Sequence, residues 1–374
     1  MSMRRAALAT ALPLVFAACS ADQSQGPGEP IVQLPRELSA DERVVVSSAN
    51  DFTFALLAQA AQDEAGPNVV LSPLSASMAL GMLLNGATVE TRDEMEGALR
   101  LQALEPQQIN DAYRDLIDLL TRLDDDVVFD IANSIWAREG VPFEQSFLDA
   151  VVSSFDATVT TLDFTDPGAP DVINAWVSES TRGRIEKMVE EIDPMSVMFL
   201  MNAIYFRGDW TRQFDPERTH DREFRLADGS NITVPMMDMD EAPHLFHQRT
   251  DGTKVLELAY GRGAWAMTLV QPPEGTDAMA FAASLDAAAW DGLVGSLDSA
   301  SVLVMMPRFS LTYERTLNDD LKALGMQRAF TDFAQFDALT EVPVYVHEVK
   351  QKTFIAVDEV GTEAAAVTSV DIRL

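Results

Sequence analysis

The chain has 374 residues, 47% of them hydrophobic, enough for a sizeable core in one large domain or two ordinary ones. Acidic residues outnumber basic ones 59 to 27, for a formal net charge of −32. Such a surface repels nucleic acid and anionic membranes and suits a solvated acidic exterior, so no nucleic-acid partner is expected.

The N-terminus has targeting composition. Arg4 and Arg5 precede the apolar run "AALATALPLVFAA", too short to span a bilayer as a mature helix. Small Ala17 and Ala18 stand before Cys19, an arrangement similar to a bacterial lipoprotein signal in which the cysteine is lipidated. Phe16 sits where an aliphatic residue is usual, and plain cleavage after Ala18 with secretion is the alternative. Either way residues 1–18 are a signal peptide and the protein is extracytoplasmic, secreted or lipid-anchored at the cell envelope, with no other membrane contact. Cys19 is the single cysteine, so there is no disulfide framework and no thiolate metal site. Residues 19–43, rich in Ser, Gln, Pro and Gly, read as a flexible tether ahead of a folded domain over 44–374.

Residues 44–64 have helical spacing, led by Phe52, Leu56 and Leu57. Ser72 followed by Pro73 starts the next helix, a hydroxyl cap and then a proline whose missing N–H costs nothing there. Met78, Leu80, Leu83 and Leu84 make it apolar all round, hence buried, and Gly86 ends it. Thr91 with Glu94 reads as a capping box. Strand composition over 127–138 precedes a helix over 146–155 and an extended stretch over 157–164. "DVINAWVSESTRGRIEKMV" starts at an Asp cap and is amphipathic, and the β-branched, aromatic run 196–210 suits a central strand covered on both faces. Further strands follow, among them "NITVPMM", "KVLELAY", "WAMTLVQPP", "SVLVMMPRFSLTYE" and "VPVYVHEVKQKTFIAVDE", with "LNDDLKALGM" a helix. Helices come first and strands later without βα alternation, which argues α+β rather than a doubly wound sheet.

No GxSxG, HExxH, P-loop or GxGxxG occurs, so no enzyme class announces itself. His244 and His247 in "HLFH" could pair on a metal, but a surface loop fits them better. The acidic runs 124–126 and 238–241 lack the glycine and distal Glu of a calcium loop and read as solvated turns. The 17 methionines read as core filler, and no cofactor or metal is expected.

The fragments "NVVLSPLSASMALGMLLNGA", "IANSIW", "INAWVSESTRGRI", "LMNAIYFRGDW", "VPMM", "MPRFSL", "LGMQRAF" and "KTFIAVDEVGTEAAAVT" together resemble the serpins, a family of serine-protease inhibitors. The resemblance runs from about residue 48 to 370. It implies helices packed around three β-sheets, a large central sheet, and a reactive loop on a metastable fold. It also implies a monomeric inhibitor, not an enzyme, whose partner is a serine protease of chymotrypsin-like or trypsin-like specificity. The loop is cut as a substrate and then enters the central sheet as a strand; roughly fourteen residues at about 3.3 Å each would drag the acylated protease about 45 Å. The family's hinge falls on Glu359, Gly361, Thr362, Glu363, Ala364, Ala365, Ala366, Val367 and Thr368. Gly361 would supply backbone freedom; Thr362, Ala364, Ala366 and Thr368 would face packed helices, with Glu363, Ala365 and Val367 on a wetter face.

By the same resemblance, Ser72, Ser75 and Asn202 match the region where the sheet opens midway, and Trp210 and Glu359 match its top. Gln351 stands where many members have a histidine; it still donates and accepts, which puts a pH response in doubt more than the fold. The family's spacing puts the scissile bond at about the end of this chain, at Leu374 or Arg373 if the loop is short. Leu374 implies a chymotrypsin-like target and Arg373 a trypsin-like one. The segment that follows the loop in the family is not in the sequence, as expected of the larger piece of a cleaved molecule or of a truncated one.

Overall fold

A computed structural model describes residues 28–62, 68–226 and 228–374; the signal segment and Cys19 lie outside them. In chain order the elements are α1 (Ala40–Ala60), α2 (Pro73–Leu84), α3 (Val89–Leu99), α4 (Pro106–Leu120), β1 (Val127–Arg138), α5 (Gln145–Phe155), β2 (Ala157–Leu162), α6 (Ala169–Ser180) and β3 (Ser196–Asp209). Then come β4 (His220–Arg225), β5 (Asn231–Gln248), β6 (Lys254–Tyr260), β7 (Trp265–Gln271), α7 (Ala278–Ala283), α8 (Ala287–Val294), β8 (Asp298–Pro307), β9 (Phe309–Thr316), α9 (Asn318–Ala323), β10 (Tyr345–Val357) and β11 (Gly361–Arg373). The α+β class is as expected.

Helix α1 begins four residues before the expected start because Ser39 and Glu42 form a reciprocal capping box, Ser39 Oγ accepting from Glu42 N at 3.1 Å and Glu42 Oε2 from Ser39 N at 2.6 Å. Arg36 donates to Glu42 at 2.8 Å, and that hydrogen bond drives the Glu42 carboxyl down to about 2. Residues 40–43, expected in the tether, are therefore helix. Helix α2 is as read, with Ser72 Oγ accepting from Ser75 N, and it is buried along almost its whole length. The Thr91–Glu94 box does not form: α3 starts after Thr88, Glu94 accepts from the amides of Gln327 and Arg328, and Thr91 accepts from Gln335 N. Helix α6 stops at Ser180, short of the expected extent, because Arg182 (φ 51°) and Gly183 (φ 78°) turn the chain out of the helix.

Six strands make the large sheet in the order β2-β1-β3-β11-β10-β9, antiparallel except for β1 with β2. The smaller sheet runs β4-β5-β6-β7, with β8 also on β5. Long β5 joins what would otherwise be two smaller sheets, pairing with β4 over 231–236 and with β6 over 245–248. The expected single strand "SVLVMMPRFSLTYE" is two: Pro307 ends β8 in the smaller sheet and β9 starts at Phe309 in the large one.

The large sheet is covered twice. On one face Ile135, Met198, Leu200, Val370 and Ile372 join α2, α4 and α5 in the main core. On the other, Trp136, Phe199, Met201, Tyr205, Ala365 and Val367 pack with Ile173 and Val177 of α6 and with Ile185 and Met188 after it. A third cluster, including Trp210, Tyr260, Met237 and Val304, joins one end of the large sheet to the smaller one.

The acidic runs are only partly the solvated turns expected: Asp125 and Asp126 are exposed in a turn, but Asp124 is buried and 238–241 lie in β5. The buried Asp124 carboxylate accepts from Arg262 N at 2.9 Å and Arg262 Nε at 3.2 Å, and Asp238 in β5 accepts from Arg218 at 2.8 Å and Arg222 at 3.1 Å. The "HLFH" histidines also lie in a strand, β5, rather than in a loop. Three residues apart in a strand, they point to opposite faces. Removing the Asp124 carboxylate leaves the half-buried Arg262 with only the more distant Asp126 at 3.8 Å, so Asp124→Ala should lower stability by about 2 kcal/mol. Denaturant titration reads this; an unchanged midpoint would show that the pair contributes nothing.

Candidate functional site

The site is the segment 358–374 and the slot that holds it. Strands β3 and β10 run parallel to each other, and β11 lies between them, antiparallel to both. Its backbone therefore completes two hydrogen-bonded ladders at once. Glu359 stands just before the strand; Gly361 to Thr368, with Arg373, lie within it; Leu374 follows it.

At the top, Trp210 fastens the chain before the strand. Its Nε1 donates to Asp358 O at 2.9 Å and its backbone N to Val360 O at 2.8 Å. The indole stacks on Tyr260 with centroids 4.4 Å apart, and the Tyr260 hydroxyl donates to Thr362 Oγ1 at 2.6 Å. The Glu359 carboxylate accepts from Thr219 Oγ1 at 2.7 Å and Arg308 Nη1 at 3.3 Å; burial raises its pKa, but these partners outweigh burial and hold it below the usual glutamate range. Gly361 is needed for a different reason from the one expected. It has no positive φ; a Cβ there would lie 2.1 Å from Gly208 O and 2.8 Å from Asp209 Cα. The glycine permits close backbone approach.

Midway down, the polar residues expected there converge. Gln351, 1% exposed, accepts from Ser72 N at 2.8 Å and donates to Ser72 O and Thr368 Oγ1, each at 2.9 Å. Thr368 Oγ1 lies 2.9 Å from Ser75 Oγ, which in turn donates to Asn202 O at 3.4 Å. Asn202 Nδ2 donates to Asn133 Oδ1 at 2.9 Å, and Asn133 to Phe155 O at 2.7 Å. The amide of Gln351 thus supplies both functions that a buried polar cluster needs. At the far end Arg373 pairs with Asp371 at 2.8 Å and Asp193 at 2.9 Å, and Leu374 N donates to Met195 O at 3.1 Å.

The face opposite α2 is not the wet one anticipated. Ala365 and Val367 are 4% and 0% exposed, because α6 and the chain after it lie across that side; only Glu363 keeps partial access. Small residues are required on both faces. Burying the Val367, Val370 and Ile372 side chains contributes about 1.5–3 kcal/mol each.

Sequence reasoning missed the receiving side: Gly208, Tyr205, Tyr260, Arg184, Thr219 and Arg308. Only Gly208 carried a signal, a glycine inside the strand-like "FRGDW", which marks close backbone approach. No group of three or more His, Cys, Asp or Glu among the described residues could hold a metal ion. No described helix is long and apolar enough to cross a membrane.

A sequence model of the serpin (serine protease inhibitor) family matches residues 47–374. Serpin A3-3 of Bos taurus is 30% identical over 350 residues, covering 92% of this chain and 84% of that protein. Cleaved kallistatin complexed with heparin superposes with a TM-score of 0.83 at 26% identity, covering 89% of this chain and 100% of that one. Reactive-loop-cleaved human thyroxine-binding globulin gives a TM-score of 0.84 at 25% identity, covering 89% and 99%.

Two outcomes test the slot. Gly361→Ala puts a methyl group onto the Gly208 carbonyl, so the top of β11 must part from β3; the thermal midpoint of the inserted form should fall, and an unchanged value would dismiss the close approach. Asp371 tests pH dependence. Burial pushes its carboxyl up, more than Arg373 and Ser196 pull it down, and Oδ1 has no partner. A carboxyl raised in the folded state adds stability that is full below the ordinary aspartate value and is lost as pH rises through the raised one. Asp371→Asn should therefore raise the midpoint at pH 7 and change it little in strong acid. A lower midpoint at pH 7 would show that the Arg373 pair dominates instead.

Proposed function

The chain belongs to the serpin family, and from that premise we propose that it is a serine-type endopeptidase inhibitor, a suicide substrate whose cut reactive loop enters the large sheet as a strand. The family consists mostly of protease inhibitors rather than enzymes, and serpins target serine proteases. The observation that carries the reading is the fit of Gly361–Arg373 between β3 and β10, with three successive alanines where both faces are packed.

The protease serine Oγ attacks the scissile carbonyl carbon. An ester forms, and the new amino terminus departs with the proton. Water would ordinarily hydrolyse that ester. Insertion competes: thirteen strand residues span about 43 Å at ~3.3 Å each, carrying the ester to the far end of the sheet. Serpin loop insertion is itself a known instance of strand addition. Tension on the acyl group displaces it from the oxyanion hole, and ~1 Å of misplacement costs ~100-fold in rate. In this reading Glu359 to Thr368 form the hinge, Ser72, Ser75, Asn202, Gln351 and Trp210 line the opening, and the scissile bond follows Arg373 or Leu374. The target is accordingly trypsin-like or chymotrypsin-like. The protein acts as a monomer outside the cytoplasm, secreted or held by a lipid on Cys19.

One observation favours a second reading, a non-inhibitory binding protein on the same fold. The loop-cleaved structure cited above is of a protein named for binding thyroxine, so a cleaved loop on this fold does not by itself make an inhibitor. Mixing the full-length gene product with chymotrypsin or trypsin separates the two. An adduct surviving boiling detergent is expected; clean loop cleavage without one would sink the inhibitor and favour the binder. Ala366→Pro should keep cleavage but cut adduct yield at least ~10-fold, because proline removes a ladder N–H and clashes in a central strand. Unimpaired adduct from that variant would argue against insertion.

A further inference from the structure

We infer that Arg184 and Tyr205 are positioning residues that capture Glu363 and set the register of the entering strand while the acylated protease is still attached. This rests on the inhibitor reading above.

The need for such a device lies in the sequence of β11. Register in a sheet is specified where side chains differ along the strand, and a uniform stretch slips easily. Ala364, Ala365 and Ala366 are identical, so a two-residue slip would set one of Ala364 and Ala366 in the other's place on the same face with no change of side chain there. Within 363–366 only Glu363 carries a polar side chain. Its Oε1 accepts from the Tyr205 hydroxyl at 2.7 Å, and its Oε2 pairs with Arg184 Nη2. A slip in either direction would break both.

The partners are set by parts of the fold outside β11. Arg182 pairs with Asp130 of β1 at 2.7 Å and lies over the Tyr205 ring of β3 at 4.6 Å. Two residues on, Arg184 lies over the Phe354 ring of β10 at 5.3 Å, and Lys187 O accepts from Lys352 Nζ of β10 at 3.1 Å. The turn at Arg182 and Gly183 and the Thr181 hydroxyl, which donates to Val177 O at 2.8 Å, fix where this stretch leaves α6. The stretch 181–187 therefore straps the slot from β1 across to β10, with Arg184 above the place Glu363 takes. Burial and the hydrogen bond to Glu363 push the Tyr205 hydroxyl up to about 12, so it stays a donor. Burial opposes charge on Glu363, yet Arg184, Tyr205 and its cross-strand neighbour Arg207 hold it below the usual glutamate range, so it is ionised at neutral pH. Glu363 is the third residue of β11, next to the end fastened by Trp210, so it enters among the first.

The test compares Arg184→Glu, Glu363→Arg and the double swap with wild type, reading inhibitor molecules consumed per protease trapped and the thermal midpoint of the loop-cleaved form. Each single variant should raise consumption about three- to tenfold, the scale of a partly buried charge pair, and lower the midpoint. The swap should restore both to within about twofold and a few degrees. Lowered midpoints with unchanged consumption would overturn the capture step, because the contact would then form after the partition is decided. Unchanged midpoints would overturn the clamp altogether. Absence of any adduct from wild type would refute the inhibitor reading instead, and with it capture during inhibition; the midpoints and their rescue by the swap still decide whether the pair sets register.

Discussion

The slot between β3 and β10 sets the terms for the rest of the molecule. A strand placed there must satisfy hydrogen bonds on both edges and packing on both faces, a double demand that edge strands never meet. Gly361, opposite Asp209 and hard against the Gly208 carbonyl, answers the first at the point of closest approach, and the alanines with Val367 answer the second. Helix α2 beneath the sheet and α6 above it are positioned by the same requirement, since each turns apolar side chains toward the strand.

Polar groups inside the slot are matched at fixed heights along β11. Thr362 meets Tyr260, Glu363 meets Tyr205 and Arg184, and Thr368 meets Gln351 and Ser75. Each match is worth little net free energy, but each is expensive to leave unmade, so together they discriminate one register from its neighbours. In a chain with a net charge of −32, arginines beside Glu359 and Glu363 let two carboxylates stay ionised where acid would otherwise accumulate. Asp371 differs: it pairs with Arg373 through one oxygen while the other has no partner, and burial outweighs the pair and raises its pKa.

Much of the fold was legible because the signals were local. Ser72-Pro73 starts α2 as read, and the apolar runs at 127–138 and 196–210 become β1 and β3. The misreadings have a common cause in distant partners. Glu94 fits a capping box with Thr91, yet Gln327 and Arg328 claim it from far along the chain. Asp124 reads as a solvated turn until Arg262 folds onto it. The supposedly wet face of β11 is dry because α6 lies across it, and alternation along one strand carries no information about what covers it.

Sequence by itself determined the class, the buried helix, the central strands and the chemical character of 361–370: small, uncharged except at Glu363, and glycine-started. Those follow from side-chain size, periodicity and capping, which are properties of neighbours in the chain. Only the tertiary structure decided which residues receive that segment, why Gly361 must be glycine, and that both faces are packed. Arg184, Tyr205, Gly208 and Tyr260 reach the strand across loop closures that no local pattern encodes, and contact between them exists only once the sheet is assembled.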